Sequence, residues 1–267
     1  METIIITGSS GFIGYSLSKY LLKRDFRVIG IDMHNGEGEQ KRLQDERLSQ
    51  LIQFKNFKSV CKDLSEDLSD LKEYFNESNY VIHLAATPGV RESNRNPQKY
   101  IRNNIVAFSN VIEMAANSNI KHFIFASSSS VYGLNGKVPF SEKDSIAHPV
   151  SLYAATKKSN ELMAHTYSHL YGIPSTGLRF FTVYGPWGRP DMSPFLFADA
   201  MLHHRPIKVF NKGDMLRDFT YIDDIVEGVV RVMQGAPEKK NGEDGLPIPP
   251  YAVYNIGNNH PENLLDF

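Results

Sequence analysis

Cysteine is almost absent from this chain. Its 267 residues include one, Cys61, so an internal disulfide framework is excluded and the composition fits a reducing compartment. An excess of charge is missing too. The formal net charge is −1, so no global field draws the chain to nucleic acid or anionic lipid. No basic stripe with interleaved aromatics suggests nucleic acid either. No apolar run is long enough to span a bilayer, and the first one starts almost at Met1, ahead of which no signal peptide fits. The expectation is therefore a soluble, cytoplasmic protein without membrane partners. His165 and His169 lie four apart on a helix, but no Glu stands beside His165 and no third ligand is evident, so no metal is expected. Internal repeats and low-complexity tails are absent.

What is present begins at the first residues. Thr3 to Thr7 is a short apolar run, and Gly8-Ser9-Ser10-Gly11-Phe12-Ile13-Gly14 follows at once. A strand that feeds a glycine-rich turn opening a helix is the grip for a dinucleotide pyrophosphate. Gly8 allows the tight turn, Gly11 lets backbone approach phosphate, and Gly14 lets the helix lie close on the strand. The unpaired N–H groups of the new helix and its positive dipole end face the phosphates. Asp32 closes the next apolar run, where a carboxylate accepts ribose hydroxyls and repels a 2′-phosphate. NAD is the expected cofactor.

The chain up to Arg179 alternates apolar strands with helical patterns, which predicts an α/β fold: a Rossmann-type, doubly wound parallel sheet covered on both faces. Strands are expected at Thr3–Thr7, Arg27–Ile31, Gln53–Cys61, Tyr80–Leu84, Lys121–Ala126 and Ser175–Phe180. Helices are expected at Phe12–Leu22, Lys41–Leu51, Leu68–Phe75, Pro97–Ala116 and Ser151–Tyr171. Residues 1–178 read as the NAD-binding domain and 179–267 as a smaller substrate lobe. In that lobe Phe195–His203, Ile207–Phe210, Phe219–Tyr221 and Ile222–Gln234 are short elements, and Gly235 to Pro250 reads as a mobile surface loop. The chain stops at Phe267 just as Leu264-Leu265-Asp266-Phe267 begins another helical pattern, so the lobe is expected to be truncated.

Two further motifs carry chemistry. In Tyr153-Ala154-Ala155-Thr156-Lys157 the Tyr and Lys share one helix face. A tyrosine near pKa ~10 is a poor base at neutral pH, and a neighbouring ammonium favours its phenolate. Taken alone, such a pair also fits any amphipathic helix. The row Ser127-Ser128-Ser129-Ser130-Val131-Tyr132-Gly133 follows a strand, where ligands of open parallel sheets bind. Its hydroxyls can hold a substrate alcohol and relay its proton, or satisfy their own turn.

Taken together, Gly8-x-x-Gly11-x-x-Gly14, Asp32, Asp63-Leu64, His83-Leu84-Ala85-Ala86, the serine row and Tyr153-x-x-x-Lys157 resemble the extended short-chain dehydrogenase/reductase family. Within it the chain is most similar to nucleotide-sugar epimerases, above all those acting on UDP-glucuronate. The finer likeness lies in Arg179 to Pro190 and in Arg217-Asp218-Phe219-Thr220-Tyr221-Ile222-Asp223-Asp224. The resemblance implies NAD-dependent epimerisation at C4 of a UDP-hexuronate through a transient 4-keto sugar, with Ser128, Tyr153 and Lys157 as the catalytic set. It implies that Gly8, Gly11, Phe12, Ile13, Gly14 and Asp32, with Tyr153 and Lys157, bind the cofactor. Asp63 and Leu64 would contact its adenine, and Leu84, Ala85 and Ala86 its nicotinamide ribose and phosphates. Thr182 and Arg189, with Ser129 or Ser130, would hold the sugar carboxylate, and Arg217 the nucleotide diphosphate. A homodimer through the helices Pro97–Ala116 and Ser151–Tyr171 is implied as well. Dehydratases and decarboxylating synthases of the family carry an acidic residue where this chain has Ser130, which argues against elimination of water. Related epimerases run several dozen residues further. An epimerase of neutral UDP-sugars, another nucleotide-sugar oxidoreductase and a catalytically impaired NAD-binding module remain as alternatives.

Overall fold

A computed structural model describes every residue except 208, 210 and 267, so the short element expected at Ile207–Phe210 and the last residue of the chain lie partly outside the described residues. Seven parallel strands form the main sheet: β1 (Thr3–Thr7), β2 (Arg27–Asp32), β3 (Phe57–Cys61), β4 (Tyr80–His83), β5 (His122–Ser128), β6 (Ser175–Phe180) and, much later in the chain, Tyr251–Ile256. Their order is Tyr251–Ile256, β6, β5, β4, β1, β2, β3, so the winding reverses between β1 and β4. In such sheets the crevice beyond the strand carboxyl ends at the reversal receives the ligand.

Side chains of successive strand residues point to opposite faces. Ile4 and Ile6 accordingly enter the core on one face with Ile82, Ile124 and Leu178, while Ile5 enters the other with Val81, Phe123 and Phe125. All three isoleucines are completely buried. Full burial of such a side chain contributes about 1.5–3 kcal/mol. Helix α1 (Phe12–Leu22) covers the first face; α2 (Gly38–Leu51) packs beside it, and α3 (Lys72–Asn76) follows β3. The second face carries α6 (Ala107–Ala116) and α7 (Leu152–Tyr171), reached after two short helices, α4 (Val90–Arg95) and α5 (Pro97–Tyr100). Ser151 caps α7, its hydroxyl accepting from the Ala154 N–H at 3.1 Å, and Gly172 ends it in the left-handed conformation at φ 70°.

Beyond β6 a three-stranded sheet contains β7 (Thr182–Tyr184), β8 (Leu216–Tyr221) and Pro261–Asn263, with α8 (Ser193–Leu202) between β7 and β8. Helix α9 (Ile222–Gln234) returns to the main sheet: Ile222, Ile225, Val226, Val229 and Met233 are buried against α1. The segment after residue 178 is thus shared between the two layers, because α9 and the seventh strand complete the parallel sheet.

Five expectations need correction. The third strand starts at Phe57, since Asn56 Nδ2 donates to the carbonyls of Leu22 and Phe26 and ties 52–56 into turns. The helix expected at Leu68–Phe75 is a 3-10 turn, Ser69–Leu71, followed by α3. Pro97–Ala116 is broken by a π-helical turn, Ile101–Val106. The stretch Gly235 to Pro250 contains an antiparallel pair, β9 (Lys240–Asn241) with β10 (Pro247–Ile248), and Leu264–Asp266 is a turn. With those, Tyr251–Ile256 is β11 and Pro261–Asn263 is β12.

Candidate active site

The glycine turn sits at the carboxyl end of β1. Gly8 adopts φ 71°, and a Cβ on it would lie 2.8 Å from the Ala85 nitrogen. At Gly14 the limit is harder, with an added Cβ 2.1 Å from the Gly8 carbonyl oxygen. Gly11 is the N-cap of α1; no side chain among the described residues caps that turn and no acidic residue stands in it. Its first N–H groups are open to an anion. Phe12 and Ile13 turn their side chains to the core, which leaves their backbone to face a ligand. Asp32 lies against the turn: Oδ2 accepts from the Ser10 N–H at 3.0 Å and Oδ1 from the His34 N–H at 3.2 Å. These residues fit a dinucleotide with free ribose hydroxyls.

Leu84 to Ala86 run alongside, half-buried, directly after β4. The Ala85 N–H donates to Thr7 Oγ1 at 3.1 Å, and that hydroxyl is also 2.9 Å from His83 Nδ1. Burial, with the charge of Lys157, pushes the His83 imidazole down to about 3. At the far end Asp63 accepts from Ser65 and pairs with Arg102 at 2.8 Å. Burial raises its carboxyl, but the Ser65 bonds and Arg102 outweigh that and hold it low. The Leu64 side chain is core, 4% exposed. Its backbone alone remains for an adenine.

Ser128 ends β5 and Tyr153 and Lys157 share the first turns of α7, so the three meet above the sheet. The Lys157 ammonium donates to the Ala126 carbonyl at 2.9 Å, and burial lowers its pKa to about 8. Burial pushes the Tyr153 phenol above its ordinary value, while a hydrogen bond from Ser128 and the positive charge of Arg189 pull it back. Arg189 is thus one cation that favours the phenolate, in addition to the Lys157 that the Tyr-x-x-x-Lys spacing puts on the same helix face. Ser128 Oγ also accepts from the Ser130 N–H at 3.2 Å and lies the same distance from Ser130 Oγ. The serines divide as their chemistry allows: Ser127 Oγ turns inward to Glu161 at 2.6 Å, while Ser129 and Ser130 stay half-buried at the surface.

Beneath this row lies a buried network. Glu161 takes a forked pair of bonds from Arg179 at 2.9 and 2.8 Å, and Arg179 Nη1 donates to the Tyr132 hydroxyl, which donates to Asn255 Oδ1 at 2.7 Å. Breaking one partner would leave a buried charge, which costs about 3–5 kcal/mol. The network locks α7 to β5, β6 and β11, and so fixes the rotation of the helix that carries Tyr153.

Thr182 opens β7, half-buried and opposite Phe219. Arg189 follows the Gly185–Gly188 loop and forks onto Asp191 at 3.0 and 2.5 Å. Arg217 is exposed on β8 with its guanidinium against the Met215 sulfur. Two polar residues near the site were not singled out by the sequence. Asn104, in the π turn, accepts from the Thr87 N–H at 2.8 Å and donates to Thr156 Oγ1 at 3.2 Å, bracing α7 one residue before Lys157. Beside Arg102 and Asn103 it looks like one more polar residue of a helix face, so the sequence carries no signal for it. Arg47 is the other.

A family profile described as NAD dependent epimerase/dehydratase matches residues 4–257. A Staphylococcus aureus protein named Protein CapI is 51% identical over 99% of this chain and 80% of its own length. A probable UDP-glucuronate 4-epimerase of Rhizobium meliloti is 44% identical over 98% of this chain and 79% of its own. Among solved structures, UDP-glucuronic acid 4-epimerase from Bacillus cereus, in complex with UDP-glucuronic acid and NAD, superposes with a TM-score of 0.87 at 35% identity, covering 99% of this chain and 80% of that one. Profile, relatives and fold agree along nearly the whole sequence, and the chain belongs to the NAD dependent epimerase/dehydratase family.

Proposed function

We propose that this chain epimerises C4 of UDP-glucuronate to and from UDP-galacturonate with bound NAD. Removal and return of the C4 hydride, by way of a 4-keto sugar, is the chemistry NAD supplies. The chain's own residues move the proton and hold the sugar. Tyr153, as phenolate, takes the C4 hydroxyl proton beside Ser128 and gives it back after the sugar has turned over. Lys157 carries a positive charge below about pH 8, which suits a ribose hydroxyl of the cofactor. Gly8, Gly11 and Gly14 admit the pyrophosphate and Asp32 takes the adenosine ribose, with the Asp63-Leu64 backbone near the adenine and Leu84 to Ala86 along the nicotinamide side.

The observation that carries the uronate reading is Arg189, whose charge acts on the Tyr153 phenol. A guanidinium fork fits a carboxylate better than an ammonium does, and here the fork already holds one carboxylate, that of Asp191. Thr182, Ser129 and Ser130 complete the carboxylate clamp and Arg217 meets the diphosphate. A β-keto acid loses carbon dioxide readily, and a clamped carboxylate is kept from the alignment that loss requires. Among residues from 179 onward, the layer that β7, β8 and β12 form acts as the substrate lobe, while α9 and β11 belong with the parallel sheet.

A homodimer through Pro97–Ala116 and α7 is supported by Val106 and Leu162, which stand exposed on those two helices. Among the described residues no helix is long and apolar enough to cross a membrane. A free, exposed Cys61 and a nucleotide-sugar substrate agree with a cytoplasmic location. The test of the sugar is Arg189→Ala. Losing a charge-assisted pair should cost about 2–5 kcal/mol in kcat/KM on UDP-glucuronate and far less on UDP-glucose. Equal losses on the two sugars would remove the uronate assignment.

A further inference from the structure

Arg47, on α2, is 3% exposed and donates to three backbone carbonyls. Nη1 reaches Ser10 at 3.1 Å, and Nη2 reaches Trp187 at 2.5 Å and Gly188 at 3.4 Å. Ser10 belongs to the glycine turn, and Trp187-Gly188 immediately precede Arg189. Burial lowers the pKa of this guanidinium to about 10, with Tyr15 and Asp32 pulling the other way, so it stays charged at neutral pH. Its Nε is buried without a partner. Carbonyl dipoles compensate a buried cation poorly, which makes this a demanding way to join two loops.

Trp187 is the second observation. Its φ is 65°, a left-handed conformation that bulky side chains rarely adopt and that persists only where the surroundings impose it. The surroundings here come from the dinucleotide side. Arg47 holds the Trp187 carbonyl, and the Trp187 ring packs on Tyr15 of α1 with centroids 5.5 Å apart. The Tyr15 N–H in turn donates to the Gly11 carbonyl at 2.9 Å, inside the glycine turn.

We propose that Arg47 is a positioning residue that couples the glycine turn to the Trp187-Gly188 loop, so that a dinucleotide in the turn fixes where Arg189 stands. Coupling of this kind is reciprocal: loosening the loop weakens dinucleotide binding, and an empty turn weakens hold on a substrate carboxylate. The consequence for substrate rests on the reading of Arg189 as the carboxylate clamp; the coupling of turn to loop does not.

The chain has a single tryptophan, Trp187, so its fluorescence reports the loop directly. In wild type stripped of its bound NAD, restoring NAD should lower acrylamide quenching of Trp187. Arg47→Met keeps the side-chain bulk but not the fork; its quenching should start higher and respond little to NAD. Titration should show its affinity for UDP-glucuronate reduced about tenfold or more, with UDP-glucose binding changed less than about twofold. Arg47→Lys, which keeps the charge, should lose most of the NAD response too, because one ammonium does not reproduce the fork that spans both loops; it carries the test if the Met variant does not fold. A wild-type NAD response of Trp187 in either folded variant would overturn the coupling. Equal loss of affinity for the two sugars, with the fluorescence changed as expected, would leave the coupling standing and instead contradict the uronate role of Arg189.

Discussion

Around Gly8 to Gly14 the groups proposed to meet a ligand belong to the backbone, whereas from Thr182 to Arg217 the proposed groups are side chains. In the first region a Cβ at Gly14 would stand 2.1 Å from the Gly8 oxygen, and the whole turn rests on β1, whose three isoleucines are fully buried. In the second, Arg189 is held by Asp191 two residues away and Arg217 stands exposed beside Met215. A site made of main chain is rigid as soon as the sheet forms. A site made of guanidinium groups depends on what pins the loops that bear them, and Arg47 and Tyr15 are the pins that reach across.

Tyr153→Phe separates the regions most sharply, because it removes only the oxygen proposed to take the C4 hydroxyl proton and lies in neither loop. Turnover should fall about 10²–10⁴-fold, while NAD content measured after denaturation stays at the wild-type level. Retention of near wild-type turnover would remove Tyr153 from the catalytic set.

Gly14→Ala attacks the backbone region with one methyl group. Because that methyl meets a carbonyl oxygen rather than a flexible side chain, we expect about 1–3 kcal/mol of destabilisation and loss of copurified NAD, read from chemical unfolding and nucleotide content. Substitution of the exposed Arg217 by Ala should leave both nearly unchanged, so equal effects of the two would erase the contrast.

A smaller effect per unit comes from pH. Burial lowers His83 to about 3 and His122 to about 4, and both lie on strands of the dinucleotide half. Each is neutral in the folded chain, and each takes a proton in the unfolded chain below about pH 6.5. Their contribution is complete above that value and is lost as pH falls towards 4, at about 1.4 kcal/mol per pH unit for each histidine. Unfolding free energies measured between pH 7 and 4.5 should show this slope, and His122→Gln should reduce it by half. A flat profile would mean that both imidazoles titrate normally.

The same contrast decides what could be read from sequence. β1, α1, β6 and α9 occupy the residues expected of them because alternation and helical spacing of apolar residues are local signals. The glycine turn was legible for a related reason, since glycine marks where main chain must approach main chain. The π turn at Ile101–Val106 was not, because its sequence, IRNNIV, carries no proline or glycine and continues the helical pattern on both sides. β11 pairs with a strand more than seventy positions earlier, and nothing local in a polar, glycine-rich surrounding announces that partner. Arg47 was invisible for the strongest form of this reason: its acceptors are backbone carbonyls, one of them 140 positions away, and carbonyls have no sequence signature. The charge of Arg189 beside Tyr153 also required coordinates, since spacing along one helix points only to Lys157 and tertiary structure adds a second cation.

In the proposed reaction one chain removes the C4 hydride of UDP-glucuronate and returns it to the same sugar. Purified protein, without added NAD, should be given UDP-glucuronate deuterated at C4, and the products followed by NMR. The expected product is UDP-galacturonate that keeps the deuterium at C4, with no release of a decarboxylated pentose. Epimerised product that has exchanged the C4 label for solvent hydrogen, or conversion that occurs only with a neutral UDP-hexose, would contradict it.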